Sequence, residues 1–263
     1  SLMGDLQGLE GTTAGRPLEV LPYTVGRLTS DPTVASNPLK GRNVTWGSAG
    51  LDVKYGITSN FVLTATVNPD FGPVDADPAV VNLTAFENFY PERRPFFTEG
   101  TQIFNFPFAP EGYAFYSRRI GRAPQVAAQT PSGGFSDVPG TATILGALKL
   151  SGKTSGGTSL GLVASVTDQA DAETMTGAGV RGSQAVEPRS LYIVGRLSKD
   201  IRQGRSGFGA LATAMNRDVS DPSFSKLRSS AFSGGFDAFH RFGGDRFEVK
   251  SWAFASDVRG TTD

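Results

Sequence analysis

The chain of 263 residues has no cysteine and only one histidine, His240. Disulfide bridges and thiolate metal sites are therefore excluded, and a lone histidine cannot build a zinc site of the usual kind. No run of about 18 apolar residues is present, so we expect no transmembrane helix. An excess of charge is also missing, because 25 basic residues balance 25 acidic ones. We therefore expect no nucleic-acid partner, and nothing in the composition indicates a cofactor.

A recognisable signal peptide is absent as well. The chain begins at Ser1-Leu2-Met3 with neither a basic segment nor the apolar stretch that normally follows one. A protein exported to an outer membrane needs such a leader. If this chain belongs there, we expect it to be an internal piece of a longer precursor.

The sequence does contain an alternation of short and long connections. Segments typical of strands are joined by tight turns at residues 56–60, 152–158, 202–205 and 242–245. Between these turns lie longer connections at residues 29–46, 69–139, 170–188 and 218–226. Outer-membrane barrels have this asymmetry, with short turns on one side of the membrane and long loops on the other.

The strand segments alternate in polarity with a period of two residues. Leu51, Val53 and Tyr55 face one way, while Asp52 and Lys54 face the other. Few helical patterns compete, although residues 168–174 are a candidate for one helical turn. We predict about nine strands, at residues 18–28, 47–56, 60–68, 141–152, 158–168, 189–202, 206–217, 227–241 and 245–258.

These features predict an all-β fold, an antiparallel up-and-down transmembrane β-barrel. Bacterial single-chain barrels close with an even number of strands, so an odd count predicts a partial barrel, the N-terminal part of a larger one. We expect one domain over residues 1–263. A soluble β-sandwich or an open meander shows the same alternation. Charged residues lie within the predicted strands at Lys54, Lys149, Arg196, Asp237 and Glu248. They favour the barrel, because charged side chains suit a water-filled interior and not a dry core.

The connection at residues 69–139 is too long for an ordinary loop. Its middle is dense in aromatic side chains, which must be buried against something. Charges of both signs accompany them, as in Glu92, Arg93 and Arg94. Two interpretations remain open: a plug folded into the barrel, or a cap packed on its own aromatic residues outside it.

Several motifs in this region resemble one family. They are Val67-Asn68-Pro69-Asp70-Phe71-Gly72, Pro91-Glu92-Arg93-Arg94-Pro95-Phe96-Phe97 and Phe115-Tyr116-Ser117-Arg118-Arg119-Ile120-Gly121. The chain is thereby similar to an uncharacterised family of bacterial outer-membrane β-barrels, found downstream of a carbohydrate-binding domain of the family-9 type. The resemblance implies a location in the outer membrane in contact with its lipid, a sugar-binding domain upstream in the parent chain, and a glycan ligand.

We expect a non-enzymatic pore, uptake component or surface-binding component. The residues expected at a ligand site or constriction are Glu92, Arg93, Arg94, Glu99, Arg118 and Arg119. One alternative is a carbohydrate-active hydrolase that uses the loop glutamates Glu87, Glu92 and Glu99 as acid and base. Another is a soluble β-rich binding domain.

Two further sets of residues have weaker patterns. Asp70, Asp75 and Asp77 offer oxygen ligands for calcium, although their spacing does not match an EF-hand loop. Capping of turns or salt bridges explain these aspartates better, and we expect no metal site. Candidates for aromatic girdles at the membrane boundary are Tyr23, Trp46, Trp252 and Phe254, although ordinary packing explains them equally well.

Overall fold

Two antiparallel β-sheets make up most of the protein. The structure, a computed structural model, describes residues 16–30, 37–40, 43–69, 89–106 and 114–260. In chain order its strands are β1 Leu18–Ser30, β2 Asn43–Thr58, β3 Phe61–Val67, β4 Phe135–Asp137, β5 Ile144–Lys153, β6 Thr158–Thr167, β7 Ala170–Met175, β8 Arg181–Glu187, β9 Ser190–Ile201, β10 Ser206–Arg217, β11 Arg228–Phe242 and β12 Phe247–Gly260.

The larger sheet contains the nine predicted strands, in the order β1-β2-β3-β5-β6-β9-β10-β11-β12. Each strand pairs with the next one in this series, so the chain runs up and down across the sheet. The four tight turns lie at one end of the strands and the long connections lie at the other. No pairing joins β1 to β12 in the described residues, so the all-β antiparallel prediction is confirmed without closure of a barrel.

One face of this sheet is apolar across all nine strands. Residues directly opposite each other in antiparallel strands share a face, and the registers Leu51↔Val67 and Leu63↔Leu150 continue one face from strand to strand. We call it the apolar face. Its members include Leu18, Val20, Leu51, Val53, Leu63, Val67, Leu148, Leu150, Leu160, Leu162, Leu191, Ile193, Leu197, Ile201, Phe208, Ala210, Ala212, Phe232, Phe236, Phe242, Phe247 and Val249.

The opposite face, called the polar face below, carries most of the charged and hydroxyl side chains of the strands. Burial of the two faces is the reverse of that in a soluble protein. On the polar face Lys149 is 2% exposed and Arg196 is 6% exposed, whereas on the apolar face Leu197 is 53% exposed and Phe236 is 73% exposed. Polar side chains are thus covered while a continuous apolar surface is open.

The long connection at residues 170–188 was predicted as irregular, and this prediction is wrong. It forms the hairpin β7–β8, which pairs with β4 in a separate three-stranded sheet. Residues 168–174, the one candidate for a helical turn, are mostly occupied by strand β7. The reason is packing: Ala170 and Ala172 alternate with Asp171 and Glu173, and the two alanines are buried.

The long connections contact one another at their end of the sheet. The Asn37 side-chain amide donates to the Ser136 carbonyl at 3.0 Å, and Lys40 pairs with Asp137 at 3.7 Å. A short 3-10 helix at Pro222–Phe224 packs on β8 and buries Phe224 completely. The described helices, one α-helical turn and several 3-10 turns, are all three or four residues long. None of them is long and apolar enough to span a membrane.

Candidate functional site

The described parts of the long 69–139 connection lie over the polar face. We call residues 89–106 and 114–122 the insert. Its apolar side chains form one core with three small residues of the polar face. The buried members are Phe96, Phe97, Phe104 and Ile120 from the insert with Ala147, Val163 and Val194 from the strands, together with Ile144 at the start of β5. The aromatic density of the sequence therefore serves to seat the insert on the sheet.

A buried lysine anchors the middle of the insert. The short helix α1, Pro95–Thr98, ends above β5, where the Lys149 ammonium donates to the carbonyl oxygens of Phe96 and Glu99, the latter at 2.7 Å. A cation at this position satisfies carbonyls that a helix C-terminus leaves without partners. The Glu99 carboxylate in turn pairs with Lys54 of β2.

Phe106, the last residue of the first stretch of the insert, packs on side chains of β9 and β12. Its ring lies 5.3 Å from the ring of Phe254 and 5.6 Å from the Arg196 guanidinium. A Cβ at Gly235 would come within 2.9 Å of the Phe106 ring, so only glycine leaves room there. Arg196 is itself fixed by a two-point ion pair with Asp237, whose side chain is 10% exposed.

Glu92 and Arg94 form the polar centre of the insert. One Glu92 oxygen accepts from the Arg94 Nε at 2.9 Å, and the other accepts from the Arg94 Nη2 at 2.7 Å and the Ser117 hydroxyl at 2.6 Å. Arg94 also donates to the carbonyls of Ser117 and Ile120, at 2.8 and 2.7 Å. The pair thereby joins the two described stretches of the insert.

The surroundings of Glu92 shift its proton equilibrium strongly. Burial acts to raise the pKa of its carboxyl group, but the hydrogen bonds and positive charge of Arg94, with the Ser117 hydroxyl, outweigh burial and lower the pKa to about 2. Glu92 is therefore ionised throughout the physiological range.

A cavity of about 380 Å³ lies between the insert and the polar face. This size falls within the range of small-molecule pockets, about 300–1,000 Å³. Aromatic rings form much of its wall, and polar groups from the insert and one strand converge on it. The lining includes Phe97, Phe104, Phe115, Tyr116 and Val163, with Glu92, Thr98, Thr101, Asn105, Ser117 and Lys149. The Tyr116 hydroxyl is fixed by the backbone of Tyr90, donating at 3.1 Å and accepting at 3.0 Å.

The structure brings some of the predicted site residues together and separates others. Glu92 lines the cavity and pairs with Arg94 behind it, while Glu99 is not part of the lining and pairs with Lys54. Arg118 donates to the Pro91 carbonyl at 2.9 Å. The remaining two, Arg93 and Arg119, are exposed.

Sequence reasoning did not select Asn105, Ser117 or Tyr116 for the site. Ser117 and Tyr116 are placed there by hydrogen bonds to Glu92 and Tyr90, 25 and 26 residues away. Asn105 has no feature in the sequence that marks it as part of a cavity wall. The weak metal candidates Asp70, Asp75 and Asp77 lie outside the described residues, as does Glu87. Within the described ranges, no group of three or more histidine, aspartate or glutamate side chains could hold a metal ion.

The four aromatic residues considered for a girdle all lie on the polar face. Tyr23 lies opposite Gly50, and Trp46 lies opposite Arg27. Trp46 and Gly50 are an odd number of residues from Leu51 along β2, so both pairs lie on the polar face. Trp252 pairs with Asp237 and also lies on the polar face, together with Phe254. These four rings therefore share the face of Lys149 and Arg196, because strand register and not residue type decides which face a ring occupies.

Fold and site together define an all-β protein in which an aromatic insert covers the polar side of an antiparallel meander. A family model described as "Domain of unknown function (DUF5916)" matches residues 16–219, so the chain belongs to that family. This confirms membership of an uncharacterised family, whose description names no location and no ligand. No curated protein and no solved structure matches the chain.

Proposed function

We propose that this chain is part of an outer-membrane β-barrel, a non-enzymatic uptake or surface-binding component for carbohydrate ligands. One observation carries the proposal: the exposed apolar face. Monomeric soluble proteins rarely expose more than a few hundred Å² of contiguous apolar surface, and this face extends over nine strands. Hydrocarbon is the solvent that such a surface fits.

The positions of charges on the apolar face support the same conclusion. By register, Lys199 lies two residues before the end of β9, and Asp257 and Arg259 lie close to the end of β12. The middle of the face carries no charged side chain in the described strands. Hydrocarbon requires this distribution, because a cationic side chain on the lipid face costs about 2–4 kcal/mol at the bilayer midplane and about 0–1 kcal/mol near the interface.

A second aromatic belt supplies the girdle expected at one membrane boundary. Its rings lie on the apolar face close to the tight turns: Tyr55, Phe61, Phe208, Phe242 and Phe247. Most strands are also long enough to cross a bilayer, which takes about 9–11 tilted residues. To close the sheet, the edge strands β1 and β12 must pair with each other or with further strands.

The membrane proposal predicts that the chain folds only with an amphiphile. Chain diluted from urea into phospholipid vesicles should float with them in a density gradient and migrate faster on a cold detergent gel than after boiling. Chain diluted into plain buffer is the control, and it should aggregate. A compact, dispersed monomer in plain buffer would contradict the proposal.

The cavity under the insert is the proposed glycan site. Aromatic faces accept the C–H surface of a sugar ring, while Thr101, Asn105 and Lys149 offer polar groups to its hydroxyls. The ligand class rests on the family resemblance. The hydrolase alternative is weakened because Glu92, with a pKa of about 2, holds no proton to donate at neutral pH, and its oxygens are already occupied.

We expect the detergent-solubilised chain to bind sugars from a monosaccharide and disaccharide panel in saturation-transfer NMR. Asn105→Ala should weaken that binding about two- to tenfold, since one hydrogen bond contributes about 0.5–1.5 kcal/mol. Gln169→Ala is the matched control, because this amide pairs with Asp171 away from the cavity. Absence of any sugar signal, or equal binding by both variants, would contradict the glycan site.

A further inference from the structure

A basic groove lies at the tight-turn end of the sheet, away from the insert. It has a volume of about 530 Å³ and runs between the β9–β10 turn and the end of β11. Its lining consists of Arg202, Gln203, Arg205, His240, Arg241 and Phe242. Three arginines and the only histidine of the chain therefore surround one space.

The charge around this groove is positive. Residues 199–206 and 240–250 contain six lysine or arginine residues against three acidic ones. Two of the arginines have acidic neighbours, since Arg205 lies 3.6 Å from Asp245 and Arg241 pairs with Glu248. In the described part of the chain, Arg202 has no ion-pair partner. The groove thus carries an excess of positive charge that can bind an anion.

The backbone at the groove is held in an unusual conformation. Arg202 and Gln203 both have positive φ angles, 54° and 57°, where asparagine and glycine are the usual residues. Such a conformation costs about 1–3 kcal/mol for a side chain that is neither. The arginine at this strained, exposed turn offers its charge to the groove at a conformational cost.

The groove adjoins the apolar face. His240 and Phe242 are members of that face by register, and their rings stack at 5.8 Å. Phe242 also stacks on Phe247 at 5.4 Å, and the Ser206 hydroxyl lies 2.7 Å from His240 Nδ1. Basic groups, aromatic rings and an apolar surface therefore follow one another along the direction in which a membrane lipid would lie.

We propose that this groove binds the phosphate headgroup of an anionic phospholipid whose acyl chains lie along the apolar face. Arg202 and Arg205 supply charge-assisted hydrogen bonds to the phosphate oxygens, which guanidinium groups match well. Basic pockets at a membrane surface bind lipid headgroups in this way. The inference rests on the membrane location proposed above. The lipid is preferred to free phosphate because Phe242 and Phe247 continue the site into the apolar face.

Native mass spectrometry of the 263-residue chain in zwitterionic detergent tests the lipid site. Phosphatidylglycerol should be retained at least about tenfold better than phosphatidylcholine. Arg202→Gly should abolish that preference without loss of folding, because glycine relieves the positive φ angle. Arg181→Ala, on the exposed β7–β8 hairpin, is the matched control and should keep the preference.

Each other outcome contradicts the inference. Equal retention of the two lipids, or equal effects of both variants, shows that no specific headgroup site exists. Displacement of the lipid by an equal concentration of glycerol phosphate shows a site for soluble phosphate. Failure of the unmodified chain to enter micelles or vesicles rejects the membrane proposal itself, whereas entry without lipid preference rejects only the groove.

Discussion

Ala212→Arg is expected to destabilise the folded chain in a bilayer by about 2–4 kcal/mol. Ala212 lies in the middle of β10 on the apolar face, opposite Gly195 and Gly234 of the neighbouring strands. An arginine there places a charge in hydrocarbon at the greatest distance from either interface. The measurement is urea unfolding in phospholipid vesicles, followed by the loss of heat-modifiable migration.

Asn216→Arg provides the matched control for this experiment. Asn216 belongs to the same strand and the same face but lies one residue from the end of β10, so its cost should be about 0–1 kcal/mol. In a soluble protein both sites would be surface positions, and both changes would stay within about 0.5 kcal/mol of neutral. Two equal, small effects would therefore contradict the membrane proposal and favour the soluble binding domain.

The nine strands of the main sheet could be predicted because each one has two unlike faces. Leu63 and Ala65 alternate with Thr64 and Thr66, and the observed register keeps this alternation from β3 to β5. A slip of one residue would exchange the two faces, so the pattern determines pairing as well as strand positions. The tight turns then determine which strands are neighbours.

The small sheet could not be predicted, because its strands have little of that contrast. β7 uses alanine on its buried side, and alanine has a low preference for strands. Its stability comes instead from tertiary contacts, where Ala172 and Val186 pack with Ala128 of the preceding connection. Such contacts leave no local pattern in the sequence.

The candidate site was predictable only in part. Glu92 and Arg94 were identified by the density of charge around them, which is a local feature. Their partner Ser117 lies 25 residues from Glu92, and Lys149 lies 53 residues from the Phe96 carbonyl that it binds. Only the fold brings these groups together. The sequence likewise left open which surface the aromatic insert covers, and the structure places its described residues on the polar face.

The Glu92–Arg94 pair is the place where one change should loosen the insert without unfolding the sheet. Arg94→Met removes the cation from a carboxylate whose side chain is 12% exposed and leaves the Ser117 and Ile120 carbonyls without this donor. Breaking a buried pair from one side costs about 3–5 kcal/mol. Hydrogen exchange at the amides of Phe97 and Thr98, which both donate to the Arg94 carbonyl, should therefore accelerate by more than about a hundredfold, since 1.4 kcal/mol is a factor of ten.

The corresponding change at an exposed pair gives the control. Arg181→Met breaks the contact with Glu173 at 3.7 Å, where both side chains are more than 60% exposed. Exposed pairs contribute about 0–1 kcal/mol, so exchange within the insert should be unchanged. Equal exchange in the two variants would show that the Glu92–Arg94 pair does not hold the insert in place.

The pH dependence of exchange distinguishes an electrostatic role of Arg94 from a role in packing alone. The pKa of Glu92 is lowered from 4.5 to about 2, so the stability it contributes, about 3 kcal/mol, is present above pH 4.5 and is lost as the pH falls towards 2. In Arg94→Met burial acts without the opposing cation and raises the pKa of Glu92, and protonation then relieves a buried charge. Acidification should therefore lower the exchange protection factors of the parent insert, taken relative to the unfolded chain at the same pH, and raise those of the variant. Slopes of the same sign in both chains would show that the Arg94 charge does not set the state of Glu92.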